Sequence, residues 1–170
     1  MIVRLRWVAL ALLAACGPPE PGMVLGDAFL VEDIGREVDL SRMSVRLIAE
    51  QEELDSALAR LCPTRDREPP AAIELYRQAW SLRARLLQPL VRATTSSDPR
   101  AHFAFPDVTP GRYRLWADTV VDSVRWSWLH PITVRAGDTL RVELSNANPD
   151  ENPFRCGPRD HGPTPLTTKS

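Results

Sequence analysis

The chain has 170 residues with 16 prolines, three cysteines and nearly equal numbers of basic and acidic side chains, which give a net charge of −1. This length suits one ordinary domain. The basic residues are scattered among acidic ones and form no run or patch, which argues against a nucleic-acid-binding protein.

The N-terminus predicts an export signal with a lipid attachment site. Two arginines precede an apolar run, Trp7–Ala15, that is too short to span a bilayer stably. The run leads into Leu-Ala-Ala-Cys at residues 13–16, which resembles the lipobox of bacterial lipoproteins, where the cysteine thiol receives diacylglycerol before cleavage. We expect residues 1–15 to be a lipoprotein signal peptide and Cys16 to carry the lipid. The alternative is ordinary secretory cleavage that leaves Cys16 as a free thiol.

Residues 16–22 are predicted to be a tether, because three prolines and two glycines disfavour both a helix and a packed core. Acyl chains on Cys16 would hold a folded domain on a membrane, since each buried methylene contributes about 0.8 kcal/mol. Gly17, rather than an aspartate, follows the cysteine, which resembles lipoproteins sorted to the outer membrane of two-membrane bacteria. We therefore expect an exported protein on a bacterial membrane, the outer membrane if the cell is Gram-negative.

Two short strands are predicted at the start of the body. Residues 23–31 are largely apolar and lead into a Glu-Asp-Ile-Gly turn at 32–35. Residues 44–49 place Val45 and Leu47 on one face, as the period of two in a strand requires.

The stretch at about 50–88 is predicted to be two helices, because the spacing of its apolar residues changes from two to three and four. The first helix is expected at Glu50–Leu61 and is ended by Pro63. The second is expected to start at the proline pair 69–70 and to continue until Pro89.

The predicted second helix has two different sides. Its apolar side carries Ile73, Tyr76, Trp80 and Leu87. Its polar side carries Glu74, Arg77, Arg83 and Arg85. We expect the polar side to be an ordinary solvated face, and the alternative is a docking surface for an acidic partner.

Residues 103–117 predict two strands joined by a corner, because two alternating apolar runs flank a joint rich in proline and glycine. The sequence Phe-Ala-Phe-Pro-Asp-Val-Thr-Pro-Gly-Arg-Tyr-Arg-Leu at 103–115 resembles the F-x-F-x-x-V-x-P-G-x-Y-x-L signature of carboxypeptidase regulatory-like domains. The sequence Val-Arg-Ala-Gly-Asp-Thr at 134–139 resembles the turn that closes these domains. The resemblance implies a small prealbumin-like β-sandwich of the carbohydrate-binding-like fold group, often found in exported bacterial proteins.

Further strands are predicted on both sides of this corner. Residues 90–95 and 101–105 are expected to pair as a hairpin around a turn at 96–99. The later strands are expected at 112–121, 124–129, 132–134 and 140–144. The last two of these are expected to form a closing hairpin.

The predicted fold is mainly β: an antiparallel sandwich of about seven strands, of the prealbumin-like or Ig-like type, with a two-helix insertion. The sandwich is expected to span residues 23–145, with the insertion at about 50–88. Residues 146–170 lack an apolar period and are expected to be a polar C-terminal tail, most of it loop or loosely ordered.

Two cysteines remain once Cys16 is lipidated. An even number in an oxidising compartment indicates a disulfide between Cys62 and Cys156. Such a bond would connect the tail to the junction of the two predicted helices. The alternative is a pair of free or buried thiols.

No motif of an enzyme or of a metal site is found in the sequence. The three histidines, His102, His130 and His161, are isolated from one another. Asp160 and His161 lie near Cys156, but they offer too few ligands at a recognisable spacing. We therefore predict a protein that is not an enzyme and that uses no cofactor or metal.

The tryptophans are the remaining candidates for ligand binding. Trp126 and Trp128 alternate on one face of a strand, and Trp116 lies on the preceding strand. An exposed row of indoles could stack on sugars or hold a peptide. The interpretation that we favour is that these residues fill the core or pack under the helices together with Trp80.

The first functional hypothesis is a non-catalytic structural or protein-interaction module that uses the helical insertion as its distinctive surface. The alternative is a glycan-binding domain that uses exposed tryptophans, since related sandwiches belong to the carbohydrate-binding-like fold group. The expected partners are a membrane, through the lipid on Cys16, and an envelope protein or glycan. Nucleic acid is not an expected partner.

Overall fold

The computed structural model describes residues 17, 19–31, 38–62 and 71–156, with backbone alone at residues 71 and 72. The predicted signal peptide, Cys16, the turn at 32–35, the prolines at 63 and 69–70, and residues 157–170 lie outside these ranges. Their assignments therefore stay predictions. In the part of the chain that is described, no helix has the length and apolar character needed to cross a bilayer.

The described part of the chain contains seven strands and two helices. The strands are β1 (Gly22–Phe29), β2 (Ser44–Ala49), β3 (Val91–Ser96), β4 (His102–Val108), β5 (Gly111–Val121), β6 (Val124–Val134) and β7 (Thr139–Ser145). The helices are α1 (Leu54–Ala59) and α2 (Ala71–Leu87), and α2 is followed by a 3-10 turn at Gln88–Leu90.

The strands form two sheets that pack face to face. One sheet has the order β4-β1-β7 and the other has the order β3-β2-β5-β6. The predicted mainly β sandwich with a two-helix insertion is confirmed. The prediction of antiparallel pairing is corrected at β1 and β7, which pair in parallel. These two strands are far apart in the sequence, so no short turn forces them to run in opposite directions.

Both hairpins predicted at 90–105 and 132–144 are wrong, because each pair of strands is divided between the two sheets. β3 pairs with β2 while β4 pairs with β1, and β6 pairs with β5 while β7 pairs with β1. Ser97 lies where the chain passes from β3 in one sheet to β4 in the other. Its buried hydroxyl donates to the Leu40 carbonyl at 2.5 Å and accepts from the Met43 amide at 2.9 Å. The period of two identifies a strand, but it does not identify the neighbouring strand.

The main hydrophobic core fills the space between the sheets. Trp128 is its largest fully buried side chain. Phe103 of β4 lies directly over Gly26 of β1, where a Cβ atom would be 2.0 Å from the Phe103 ring. Only glycine fits opposite this ring. Other core residues are Val24, Val45, Leu47, Phe105, Leu115 and Leu144.

The predicted corner between β4 and β5 is confirmed, and a tyrosine fixes it. Phe103 and Phe105 point from β4 into the core. Across the Pro-Gly joint, the hydroxyl of Tyr113 in β5 donates to the Thr109 carbonyl at 2.8 Å. This bond closes the bend over the joint, so it holds the chain at the point where it passes from one sheet to the other.

β5 and β6 form a long hairpin with 11 residues in each strand. Its turn residues Asp122 and Ser123 have φ angles of 47° and 67°, which suit a two-residue turn between twisted strands. The segments predicted separately at 124–129 and 132–134 are one strand. β6 is an edge strand, and an edge tolerates Pro131 because the missing N–H can face away from the neighbouring strand.

The insertion, residues 50–88, covers the outer face of the four-stranded sheet. A second apolar cluster forms there from Ile48, Leu54, Leu58, Leu87, Trp116 and Leu129. α2 lies where the second helix was predicted, whereas α1 begins at Leu54 instead of Glu50. The Glu50 amide donates to the Arg112 carbonyl at 3.3 Å, and its carboxylate accepts hydrogen bonds from Arg114 at 2.8 to 3.1 Å.

Candidate functional site

Arg83 anchors helix α2 to the sheet. Only 1% of its side chain is exposed, and its Nη1 donates to Asp118 Oδ1 at 3.2 Å while its Nε donates to the Pro153 carbonyl at 3.1 Å. Burial lowers the pKa of the Arg83 guanidinium, and the charge of Asp118 opposes this shift. The prediction that Arg83 lies on a solvated face is wrong. It follows Trp80 by three residues and precedes Leu87 by four, which places it on the buried side of the helix.

The N-terminal half of α2 also differs from its prediction. Ile73 and Tyr76, which were predicted on the apolar side, are 58% and 49% exposed. The buried residues Ala79, Arg83 and Leu87 lie further along the helix. The helix is therefore held to the sheet by its second half, and its first half presents apolar side chains at the surface.

A series of ion pairs continues from Arg83 into the tail segment, which we define as residues 146–156. Arg83 Nη2 lies 3.9 Å from Asp150 Oδ2, and Asp150 Oδ1 accepts from Arg155 Nη1 at 2.6 Å. Arg155 Nε donates to Asp55 Oδ1 at 3.1 Å. Helix α2, the tail segment and helix α1 are thus connected through alternating charges.

Arg114 of β5 joins this series to the sheet. Its guanidinium donates to Asp55 at 2.5 Å and to Glu50 at 2.8 Å. The hydrogen bonds from Arg114 lower the pKa of Asp55, because they stabilise the carboxylate. The hydrogen bonds to Glu50, and to a smaller extent those to Asp55, raise the pKa of Arg114. The insertion is therefore attached to the sheet at both helices.

The tail segment is bound to the insertion, as the predicted disulfide implied, although most of the tail was expected to be loop or loosely ordered. Phe154 is buried, and its ring centroid lies 5.0 Å from that of Trp80. The predicted disulfide between Cys62 and Cys156 is present. The aromatic contact and the disulfide therefore act together with the ion pairs of Asp150 and Arg155 to hold this polar stretch.

A groove of about 870 Å³ lies between α2, the start of β6 and the tail segment. Its walls include Ile73, Tyr76 and Trp80 of α2, Arg125 of β6, and Asp150 of the tail segment. The Arg125 guanidinium lies over the Trp80 ring, 5.0 Å from its centroid. The groove therefore combines the half-exposed ring of Tyr76 with charged groups, and the Trp80 ring is covered by Arg125. Sequence reasoning missed it because its three walls come from segments that are far apart in the chain.

Three polar side-chain atoms beside the groove are buried from solvent and have unused hydrogen-bonding capacity. Ser127 Oγ and Asp150 Oδ2 are buried in residues that line the groove. Arg83 Nη2 is buried 3.9 Å from Asp150 Oδ2. None of these three atoms has a hydrogen-bond partner among the described residues. Buried polar atoms are usually paired, so this cluster requires an explanation.

The three tryptophans do not form a surface row, and Trp116 and Trp128 are buried, as the favoured interpretation expected. Trp128 is fully buried in the main core, where its Nε1 donates to the Ser145 carbonyl at 3.0 Å. Trp116 is buried on the opposite face of the sheet, beneath the insertion. Trp126 is half-buried and borders the groove. The strand pairing explains the division, because Ala117 rather than Trp116 is the partner of Trp128.

The similarity of this chain to known proteins is weak. No family model matches the sequence, and no curated protein matches it. The chain is similar to the structure of a candidate carbohydrate-binding protein of Pseudomonas aeruginosa, with 17% identity and a TM-score of 0.46 over 78% of this chain and 92% of that one. At this identity and TM-score the similarity supports no conclusion about this chain.

Two pilins are also similar in structure. The minor pilin GBS52 of Streptococcus agalactiae has 10% identity and a TM-score of 0.39, over 75% of this chain and 44% of the pilin. The major pilin BcpA of Bacillus cereus has 10% identity and a TM-score of 0.38, over 78% of this chain and 31% of the pilin. The match therefore spans less than half of either pilin chain.

The two histidines in the described ranges, His102 and His130, do not line the groove. His102 pairs with the Asp27 carboxylate at the surface of the three-stranded sheet. His130 lies in β6, and its buried Nε2 has no hydrogen-bond partner within the described ranges. His161 lies outside them. In the described part of the chain, no group of three or more His, Cys, Asp or Glu side chains is arranged to hold a metal ion.

Proposed function

We propose that this protein is a lipid-anchored component of a bacterial cell envelope, that its β-sandwich is a non-catalytic interaction module, and that the groove is its recognition surface. The observation that carries the proposal is the firm attachment of the groove walls. Buried Arg83 holds α2, and the Cys62–Cys156 disulfide and Phe154 hold the tail segment. A groove that is fixed before binding loses little conformational freedom when a ligand enters.

The position of the tether supports this proposal. The Met23 amide donates to the Asp138 carbonyl at 2.8 Å, so the tether leaves the sandwich beside the turn after β6. The groove lies at the other end of β6, where Arg125 is ten residues before Arg135. Ten residues of strand span about 30 Å. A domain anchored through Cys16 would therefore present the groove away from the bilayer.

Lipid attachment is tested by feeding cells a radiolabelled fatty acid and isolating the protein. The wild-type chain is expected to carry the label and to sediment with membranes, whereas a Cys16→Ser variant is expected to carry none and to stay in the soluble fraction. Equal labelling of the two proteins would contradict the anchor. Absence of label from both would contradict it as well.

Recognition through the groove is tested by photocrosslinking in living cells. A benzophenone amino acid is placed at Tyr76, which is exposed in the groove, or at Arg135, which is exposed near the tether. Illumination is expected to give a crosslinked product from position 76 and a much weaker one from position 135. Equal products from both positions, or none from position 76, would contradict the assignment of the groove.

A further inference from the structure

We infer that the groove binds an extended peptide segment of an envelope protein, which adds as a further strand to the free edge of β6. The inference rests on the proposed recognition function and names the class of partner. It is carried by the position of the groove along this edge, by the direction of the backbone groups of β6, and by the exposed apolar side chains of α2.

The groove runs along the free edge of β6. Four consecutive residues of this strand, 124–127, line it. Side chains of a strand point alternately to the two faces of a sheet, so a groove that touches every residue of a segment lies beside its edge. In the described part of the chain, β5 is the only strand that pairs with β6, and none of its residues lines the groove.

The tail segment shows which backbone groups of β6 face this edge. The Asp150 amide donates to the Ser127 carbonyl at 2.7 Å, so this carbonyl points away from β5. In an antiparallel pair, the N–H and C=O of one residue point to the same side, and successive residues point to opposite sides. β5 and β6 pair in unbroken register, so the N–H and C=O of Arg125 also face the groove. Pro131 belongs to the same outward set, where its missing N–H breaks no bond to β5.

Helix α2 supplies an apolar wall opposite this edge. Ile73 and Tyr76 are neighbours on the helix surface, line the groove and are exposed. Val124 of β6 is exposed as well. The Trp80 ring lies under two guanidinium groups, so the exposed apolar surface comes mainly from the other three side chains. In strand addition, main-chain hydrogen bonds to the edge give affinity, and contacts of alternate side chains give specificity. The groove offers both.

The charges of the groove favour a segment without net charge. Four charged side chains line it, two of each sign: Arg77, Arg125, Asp150 and Glu151. Arg77 is bonded to Glu74 at 2.8 Å. Asp150 lies between Arg83 and Arg155, and each of these arginines has a further acidic partner. The remaining two groove charges are exposed and opposite in sign, so neither an acidic nor a basic segment is preferred.

A second copy of this chain matches the edge less well than a separate peptide does. The Asp150 amide already occupies the Ser127 carbonyl, which confines free pairing to the start of β6. Two copies that paired there in antiparallel fashion would place one Arg125 opposite the other. Like charges directly opposite each other on neighbouring strands are destabilising.

The test uses the chain from residue 16 with Cys16→Ser, which keeps every described residue. It is applied to an array of octapeptides with blocked ends, in which valine, isoleucine or leucine alternates with threonine or serine. We expect binding to at least one octapeptide. The strongest ligand is then made in two forms, each with N-methyl groups on one of the two alternating sets of residues. Calorimetry is expected to show that one form binds at least about tenfold more weakly than the other, because only one set donates to the β6 edge.

Two variants of Arg125 separate its backbone from its side chain. Arg125→Pro removes the N–H that faces the groove, whereas Arg125→Ala keeps it. The strand is expected to accept this proline because Pro131 has the same orientation. Arg125→Pro is expected to bind the peptide about tenfold more weakly than Arg125→Ala. Arg135→Ala, at the tether end, is the surface control and is expected to bind as the wild type does. Melting curves check the folding of each variant, and the N-methylated peptides give the same test on the unchanged groove.

Three outcomes would overturn the inference, and they separate it from the proposed function. Absence of binding to every octapeptide, with a crosslinked product from position 76 in cells, would contradict strand addition and keep the recognition groove. Equal binding of the two N-methylated forms, or of folded Arg125→Pro and Arg125→Ala, would show that the edge of β6 does not pair with the peptide. Absence of both peptide binding and the crosslinked product would contradict both proposals.

Discussion

Arg83 and Asp118 form an ion pair beneath helix α2, where 1% and 17% of their side chains are exposed. The second oxygen of Asp118 accepts a hydrogen bond from the indole of Trp116 at 2.6 Å. Because Asp118 belongs to β5 and Arg83 belongs to α2, the ion pair attaches the insertion to the sheet. This ion pair explains why Arg83 is buried, although the other charged side chains of α2 are solvated.

Removal of Arg83 is expected to destabilise the protein strongly. Arg83→Met would leave Asp118 and Asp150 without their buried partner, and loss of one member of such a pair costs about 3 to 5 kcal/mol of the free energy of unfolding. The matched control is Arg77→Met on the same helix, whose side chain is 72% exposed. Its effect is expected to stay below about 0.5 kcal/mol. Urea denaturation measures both, and equal effects would contradict the role given to Arg83.

Loss of the disulfide is expected to loosen the tail segment. Cys156→Ser removes a bond that closes a sequence separation of 94 residues, which in the chain-entropy model contributes about 3 to 5 kcal/mol. A reducing agent is expected to lower the melting temperature of the wild type to that of the variant and to leave the variant unchanged. A wild-type melting temperature that is insensitive to complete reduction would show that the bond does not support the fold.

The tryptophans of β6 are expected to respond differently to truncation. Trp128→Ala removes a fully buried ring from the main core and is expected to cost about 3 to 5 kcal/mol of stability. Trp126→Ala removes a half-buried ring at the edge of the groove and is expected to cost less. Denaturation of the two variants under one set of conditions gives the comparison. A larger loss for Trp126→Ala would contradict the division of these side chains between core and rim.

Acid is expected to weaken the attachment of α1 through Asp55. Its pKa in the folded protein lies below the usual value of 3.8, because Arg114 bonds the carboxylate. The stabilising contribution is therefore fully present above that usual value and is lost as the pH falls through the folded value. Asp55→Asn is expected to reduce stability at neutral pH and to flatten its decline between about pH 5 and pH 2. Glu52→Gln, an exposed neighbour, is the control and should keep the wild-type slope.

Much of the fold was predictable because strands and helices leave local patterns. Alternating apolar residues located β2 at residues 44–49, and the Pro-Gly joint located the corner before Tyr113. The count of cysteines predicted the Cys62–Cys156 bond. The strand and the corner were predicted from residues that are close together in the sequence. The disulfide was predicted from the chemistry of cysteine.

The pairing of strands was not predictable in the same way. The segments at 90–105 and 132–144 each contain two alternating apolar runs joined by a turn. This pattern is compatible with a hairpin in one sheet and equally with two strands in different sheets. What decides between them is a set of distant contacts, such as the Ser97 hydroxyl with Leu40. The pattern of one segment contains no information about residues that lie more than 50 positions away.

The groove was missed for a related reason. Tyr76, Arg125 and Asp150 are unremarkable in the sequence, and only the folded chain brings them together. The helical spacing of Trp80, Arg83 and Leu87 was the one available signal, since it places a charged residue on a buried stripe. A buried cation of this kind implies nearby carboxylates, and one of its partners, Asp150, lines the groove.

The most direct test of the recognition groove is co-sedimentation of the soluble Cys16→Ser chain with envelope fragments from cells that lack the protein. Arg125→Ala changes the groove, and Arg135→Ala changes an exposed arginine at the other end of β6. We predict that the wild type and Arg135→Ala are retained, and that Arg125→Ala is retained about tenfold less. Equal retention of all three proteins, or retention of none, would contradict a recognition surface at the groove.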